Sequence, residues 1–130
     1  MRMSDDQYLR SCVAQERHLA QLLGYHNIEE YSENAGTLTQ RRNALPKWTR
    51  DWRACGPLMS EFELDVRFDS DMDRDRVVQV GPVTVHCSDH PSKERAVMVA
   101  VVKAVIFLLE HRHGRDALAA TLYVMSRRCT

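Results

Sequence analysis

The chain has 130 residues, a length that matches one domain able to bury its own core without disulfides or metal. Its apolar fraction of 44% argues against disorder as the state of the whole chain. Its 18 basic residues are balanced by 18 acidic residues, which argues against a general nucleic-acid binder, because such proteins gain affinity by neutralising phosphates.

The N-terminal third predicts one helix followed by irregular chain. Ser4 and Gln7 resemble a capping box, and apolar residues then recur every three or four positions up to a glycine. This pattern predicts an amphipathic helix over residues 4–24. Residues 28–31 are typical of a short edge strand. The polar stretch 32–44 has no period and is interpreted as a loop.

Residues 46–111 are predicted to form a core unit that starts with a helix. Thr49 is the expected N-cap, and apolar residues at helical spacing continue to Phe62. Gly56-Pro57 interrupts this stripe, because proline lacks the N–H group of the helical ladder. Either the helix kinks there or Pro57 begins a second short helix after a break.

Two alternating segments predict the strands of the core unit. Residues 64–68 alternate apolar and charged side chains, as a half-buried strand does, and an acidic connection over residues 69–75 follows. Residues 78–87 alternate as well, but Gly81-Pro82 lies inside them. It either inserts a bulge into one long strand or separates two strands, which leaves a hairpin or a three-strand meander.

The end of the chain predicts two more helices. Ser92 begins a helix over Lys93–His111 that is apolar nearly all round, so it must be buried on more than one side. A further helix and a basic tail are expected over residues 115–130. Residues 1–130 are therefore predicted to form a single α+β domain. Its small antiparallel sheet is expected to be packed between helices in α/β/α-type layers.

Three histidines are the candidate metal ligands: His86, His90 and His111. His86 and His90 also flank Cys87, so a metal- or thiol-dependent enzyme centred on residues 86–90 is one hypothesis. Zinc sites usually show paired short ligand spacings, which this sequence lacks, as it lacks the common hydrolase and phosphate-loop motifs. The sequence therefore favours a non-catalytic protein and predicts no cofactor.

Alternate aspartates in residues 69–75 resemble the start of a calcium-binding loop. The EF-hand pattern fails after that start, because Arg74 stands where the turn glycine belongs and Val80 where the bidentate glutamate belongs. The run is better interpreted as a solvated hairpin tip that discourages pairing between sheet edges.

A local basic and aromatic patch is the candidate nucleic-acid site, because such residues contact phosphates and stack on bases. It comprises Arg41, Arg42, Lys47, Trp48, Arg50 and Arg53, with Trp52 close by. The α-β-β-β-α order is similar to that of double-stranded-RNA-binding domains. The similarity stops at residues 92–96, where Glu94 lies in the place of that family's lysine cluster.

The cysteines and the apolar segments indicate a cytoplasmic setting. Cys12, Cys55, Cys87 and Cys129 are scattered without a CxxC pair, and no apolar leader precedes them, as expected for reduced thiols in the cytosol. The longest apolar run, residues 96–109, is too short to span a bilayer. No membrane association is predicted.

Residues 45–54, Leu-Pro-Lys-Trp-Thr-Arg-Asp-Trp-Arg-Ala, resemble the start of the phage ABA-sandwich domain family. In that family such a segment enters a helix, a hairpin follows, and an Ala-rich helix packs behind the sheet; residues 92–109 take that last place here. The resemblance implies an α+β fold in a phage or bacterial cytosolic setting and no reaction. The favoured hypothesis is a small protein-interaction or accessory module with a protein partner or a second copy.

Overall fold

The computed structural model describes residues 4–31, 36–70 and 75–111. They form the predicted α+β fold, with two three-stranded antiparallel sheets. The elements are α1 (Asp5–Leu22), β1 (Glu29–Glu30), β2 (Leu38–Gln40), β3 (Asn43–Ala44), α2 (Trp52–Glu61), β4 (Val66–Ser70), β5 (Arg76–Val80), β6 (Val83–His86), a 3-10 turn (Cys87–Asp89) and α3 (Lys93–Glu110). The helix and tail predicted over residues 115–130, and residues 71–74 of the acidic run, lie outside the described residues.

Helix α1 begins and ends as its sequence predicts. The Ser4 hydroxyl accepts the Gln7 N–H, and the Gln7 side chain accepts the Ser4 N–H, both at 3.2 Å. At the other end the N–H groups of Gly24 and Tyr25 bond to carbonyl groups of the last turn. Gly24 has φ +98°, a conformation that favours glycine, so this end is a Schellman motif.

The interpretation of residues 32–44 as a loop is wrong for their second half. Strands β2 and β3 lie there and pair with each other, and β1 completes this first sheet as the predicted edge strand. The turn between β2 and β3 is Arg41-Arg42, with φ values of +52° and +68°. Two left-handed residues make a primed hairpin turn, which glycine and asparagine usually supply. An Arg-Arg turn therefore gave no sequence signal.

Helix α2 differs from the prediction at its start. Asp51 rather than Thr49 is the N-cap, and its carboxylate accepts the Arg53 N–H at 3.0 Å. The helix continues through Pro57 to Glu61, so the alternative of a break at Gly56-Pro57 is wrong. Pro57 removes one helical hydrogen bond, and its side chain is exposed to solvent.

The second sheet is the meander alternative, with strand order β4-β5-β6. Val80 pairs with Val83, so Gly81-Pro82 is a two-residue turn between separate strands. Gly81 takes φ +56° at the first turn position, as a primed turn requires. Strand β4 lies at the edge and is more exposed than the half-buried strand that its alternation predicts.

Helix α3 is the centre of the core, with eleven buried residues. One side of α3 packs on β5 and β6, and its other sides pack on α1 and α2. Within the described residues α3 lies between the second sheet on one side and α1 and α2 on the other, as its all-round apolarity predicts. None of the described helices is long and apolar enough to cross a membrane.

Candidate functional site

The structure places two members of the predicted basic and aromatic patch inside the protein. Trp48 is 5% exposed and packs with its ring edge-on to Tyr25, the ring centroids being 6.3 Å apart. It is therefore a core residue and not a platform for bases. The Arg50 side chain is 15% exposed and forms an ion pair with Glu16.

Glu16 is the centre of a buried hydrogen-bond network. Its carboxylate accepts the N–H and the hydroxyl of Thr49 at 3.2 and 2.5 Å. It also accepts Nε and Nη2 of Arg50 at 3.1 and 2.6 Å, and Nη2 donates as well to the carbonyl of Gly36 at 2.7 Å. The network ties α1 to the segments before β2 and before α2. The position of Glu16 four residues after Cys12, on the apolar stripe of α1, is a sequence signal that this carboxylate is buried, but it does not identify the partners.

The remaining cations of the patch lie on separate elements. Arg41 and Arg42 form the exposed β2–β3 turn, Lys47 is half-buried, and Arg53 lies on α2 beside the carboxylate of Asp51. Trp52 reaches solvent. With Trp48 and Arg50 engaged in the core, the six-residue patch loses its aromatic member and one of its cations, and the geometry gives little support to nucleic-acid binding.

The three candidate metal ligands have separate partners. Nδ1 of His86 lies 3.1 Å from the Asp75 carboxylate, and His90 is buried with Nδ1 2.6 Å from the Tyr8 hydroxyl. His111 stacks on Phe107 of its own helix, with ring centroids 3.9 Å apart. Across the described residues no group of three or more His, Cys, Asp or Glu side chains could hold a metal ion. The structure does not assemble the predicted metal site there.

The three thiols that the structure describes are buried or half-buried. Cys12, Cys55 and Cys87 are free, and burial raises the pKa of Cys55 to about 12, so its thiolate is scarce at neutral pH. Cys87 is half-buried and packs against the core.

Two cavities open on the helical side. A polar cleft of about 350 Å³ between α1, the 3-10 turn and α3 is lined by Tyr8, Ser11, Cys12, Gln15, Asp89, His90, Val99 and Lys103. An apolar groove of about 250 Å³ is lined by Leu23, Tyr25, Pro46, Trp48, Arg53, Ala54, Pro57, Leu58, Glu61 and Phe62. In the cleft wall the Tyr8 and His90 rings meet edge-on, and Arg95 lies 5.2 Å from the centroid of the Tyr8 ring. These contacts orient the rings in the cleft wall, and Nη2 of Arg95 donates to the Cys12 sulfur at 3.6 Å.

The outer edge of β4 is the surface with the clearest chemistry. In the part of the chain that the structure describes, β4 pairs with β5 alone. The tight turn at Gly81-Pro82 determines which backbone groups face outward, because the two residues that flank such a turn form backbone hydrogen bonds with each other. The backbone N–H and C=O groups of Val80 thus point toward β6, and those of Val77 and Gln79 point toward β4.

By this alternation Arg67 and Asp69 bond inward to β5, whereas Val66, Phe68 and Ser70 present their N–H and C=O groups at the free edge. A side-chain contact agrees with the outward orientation of the Ser70 N–H, which donates to the carboxylate of Asp69 at 2.8 Å. The edge thus offers another strand a row of backbone donors and acceptors, and pairing at Ser70 would replace the contact of its N–H with Asp69.

Phe68 marks the middle of this edge. Its side chain is 43% exposed on the face of the sheet that packs on α3. Arg76 and Lys93 lie 5.9 and 5.7 Å from the centroid of its ring, close enough for cation–π attraction. On the opposite face Arg67 donates to the Gln79 side chain at 2.6 Å, and Asp69 lies next to it.

Comparison with protein-family models, curated proteins and solved structures gives no significant match to this chain. The resemblance of residues 45–54 to the phage ABA-sandwich domain therefore stays a prediction.

Proposed function

We propose that this chain is a non-catalytic protein-interaction module that binds an extended protein segment at the outer edge of β4. The observation that carries the proposal is the edge of β4 itself, which no strand among the described residues pairs, with an exposed aromatic side chain at its centre. Strand addition of this kind gains affinity from backbone hydrogen bonds and specificity from alternate side chains. The exposed Phe68 side chain at the middle of this five-residue edge supports binding, although charged residues such as Asp69 discourage unspecific edge pairing.

The setting that we propose is the cytoplasm of a bacterium, with a phage or prophage origin. Free thiols at Cys12, Cys55 and Cys87 support a reducing compartment, where disulfides are rare. The phage origin rests on the resemblance at residues 45–54 alone.

A photo-crosslinking residue in place of Ser70 tests the proposed surface in cells that express the chain. We expect crosslinked protein species that disappear when Phe68→Pro is added. The Phe68 N–H points away from β5, so proline blocks the free edge and keeps the β4–β5 ladder. The matched control carries the crosslinker at Ala14, which is exposed on α1.

Crosslinks from position 70 that persist in the Phe68→Pro background, or equal yields from positions 14 and 70, would count against the edge as the binding site. Amide exchange of the β5 residues in the Phe68→Pro protein checks that the sheet is intact, since ladder amides exchange slowly only while their bonds persist.

A further inference from the structure

We infer that the segment bound at the β4 edge is β4 of a second copy of this chain, paired antiparallel with Phe68 opposite Phe68 of the partner. This inference rests on the proposed function, since it needs the same edge, and it adds the partner and the register. The reason is that all five residues of β4, Val66–Ser70, find a partner, and a complementary one, only when the two-fold axis lies at Phe68.

Charge selects that register. With the two-fold axis at Phe68, Arg67 of each copy lies opposite Asp69 of the other, and Val66 lies opposite Ser70. If the two-fold axis lay at residue 67, Arg67 would lie opposite Arg67 of the other copy. If it lay at residue 69, Asp69 would lie opposite Asp69 of the other copy. Opposite charges across an antiparallel pair stabilise it and like charges destabilise it, so both shifted registers are disfavoured.

The backbone agrees with the same register. Val66, Phe68 and Ser70 are the residues whose N–H and C=O groups face outward. In the Phe68-centred pairing each of them meets another outward-facing residue, so the Phe68 pair exchanges both of its hydrogen bonds. Arg67 and Asp69 then occupy the intervening positions, where side chains of opposite strands come closest.

Burial also favours this arrangement. The three strands of the second sheet would join those of the other copy in one continuous sheet with the two β4 strands at its centre. The two exposed Phe68 rings would then cover each other on the α3 face, each beside the Arg76 and Lys93 cations that already contact it. An edge that no described strand of one copy pairs becomes a central strand in the dimer.

Sedimentation equilibrium of the full chain and of charge-reversed variants tests the register. We expect the unchanged protein to form dimers as its concentration rises. Arg67→Asp and Asp69→Arg each convert two symmetric attractions into two repulsions, which predicts dimerisation on the order of tenfold to a hundredfold weaker. Lys103→Asp is the matched control, because it reverses an exposed charge on α3 and predicts no change.

Rescue makes the test specific. An equimolar mixture of the two single variants restores both attractive pairs in a heterodimer, and the double variant Arg67→Asp/Asp69→Arg restores them in a homodimer. Both are expected to regain the dissociation constant of the unchanged chain to within a few-fold. Circular dichroism and thermal unfolding of each variant show that the monomer is folded, so that a loss of dimers reports on the interface.

A strict monomer at all concentrations would overturn the inference, as would dimers that ignore Arg67→Asp or a mixture that fails to recover. The outcome for the proposed function remains separate. If the chain is monomeric but position 70 still crosslinks to a different protein in a Phe68-dependent way, the edge binds another partner and only the second copy is refuted. If neither dimers nor crosslinks form, both proposals fail.

Discussion

Substitution of Glu16 by glutamine is expected to destabilise the fold strongly, although glutamine has almost the same shape. Glu16 is 1% exposed and its carboxylate receives four hydrogen bonds from Thr49 and Arg50. A carboxamide replaces one acceptor oxygen by an NH2 group, so a donor then faces the donors of Thr49 or Arg50. The charge of Arg50 also loses its compensation.

The size of the effect follows from burial. Removal of one partner of a buried ion pair costs about 3–5 kcal/mol. Because the Arg50 side chain is 15% exposed, water solvates part of the orphaned guanidinium, and Glu16→Gln belongs near the lower end, at about 3 kcal/mol. Arg50→Met leaves the more deeply buried carboxylate unpaired and belongs near the upper end. Either loss is a large part of the 5–15 kcal/mol typical of a domain.

Urea unfolding with linear extrapolation measures both free energies, and the double variant closes a mutant cycle. We expect the double variant to be less destabilised than the sum of the single ones, because no lone charge remains. Glu29→Gln on the exposed side of β1 is the matched control, with a change under about 0.5 kcal/mol. A Glu16→Gln loss within about 1 kcal/mol of that control would refute the role of the network.

Three further predictions concern turns, titration and thiols. Gly81→Ala is expected to lower the free energy of unfolding by about 1 kcal/mol, because Gly81 has φ +56°. Gly56→Ala inside α2 is expected to raise it by about 0.5–1 kcal/mol. The Cβ added at either position meets no atom within 4 Å, so equal signs of the two changes in thermal unfolding would contradict this prediction. The hydrogen bond from Arg10 lowers the pKa of Glu30 to about 2. The Glu30 carboxylate therefore stabilises the fold above its ordinary pKa of 4.5, and this contribution is lost as the pH falls toward 2. Arg10→Ala should raise the titration midpoint of Glu30 measured by NMR. Burial raises the pKa of Cys55 from 9.0 to about 12, so alkylation of this thiol at neutral pH should require unfolding. The contribution of the neutral thiol to the stability of the fold should be lost between pH 9 and 12. Rapid alkylation of Cys55 in the folded chain would argue against its burial.

Local patterns predicted the elements whose energetics are local. The capping box at Ser4 and the glycine at the end of α1 act within a few residues, so they could be identified without knowledge of the fold. The all-round apolarity of α3 likewise predicted its burial. Gly81-Pro82 marked a turn or a bulge, and pairing between Val80 and Val83 decided for the turn.

Long-range contacts decided the site. Thr49 has the chemistry of an N-cap, but a buried carboxylate on α1 engages its hydroxyl, and Asp51 caps α2 instead. Arg50 belongs to a basic patch in the sequence and to a buried ion pair in the fold. No spacing along the chain reveals such partners, because Glu16 lies more than thirty residues from them.

The sequence by itself determined the α+β class, the ends of α1 and the central helix α3, because propensity, capping and apolar periodicity act over short distances. Tertiary structure alone decided that Arg41-Arg42 turns a hairpin and that the three histidines have separate partners. It also decided that β4 is an edge with an outward row of backbone groups. Strand order depends on which segments of the chain meet in space. For this reason β4, whose own sequence pattern predicts a half-buried strand, lies at the edge of the sheet and forms the surface on which our proposal rests.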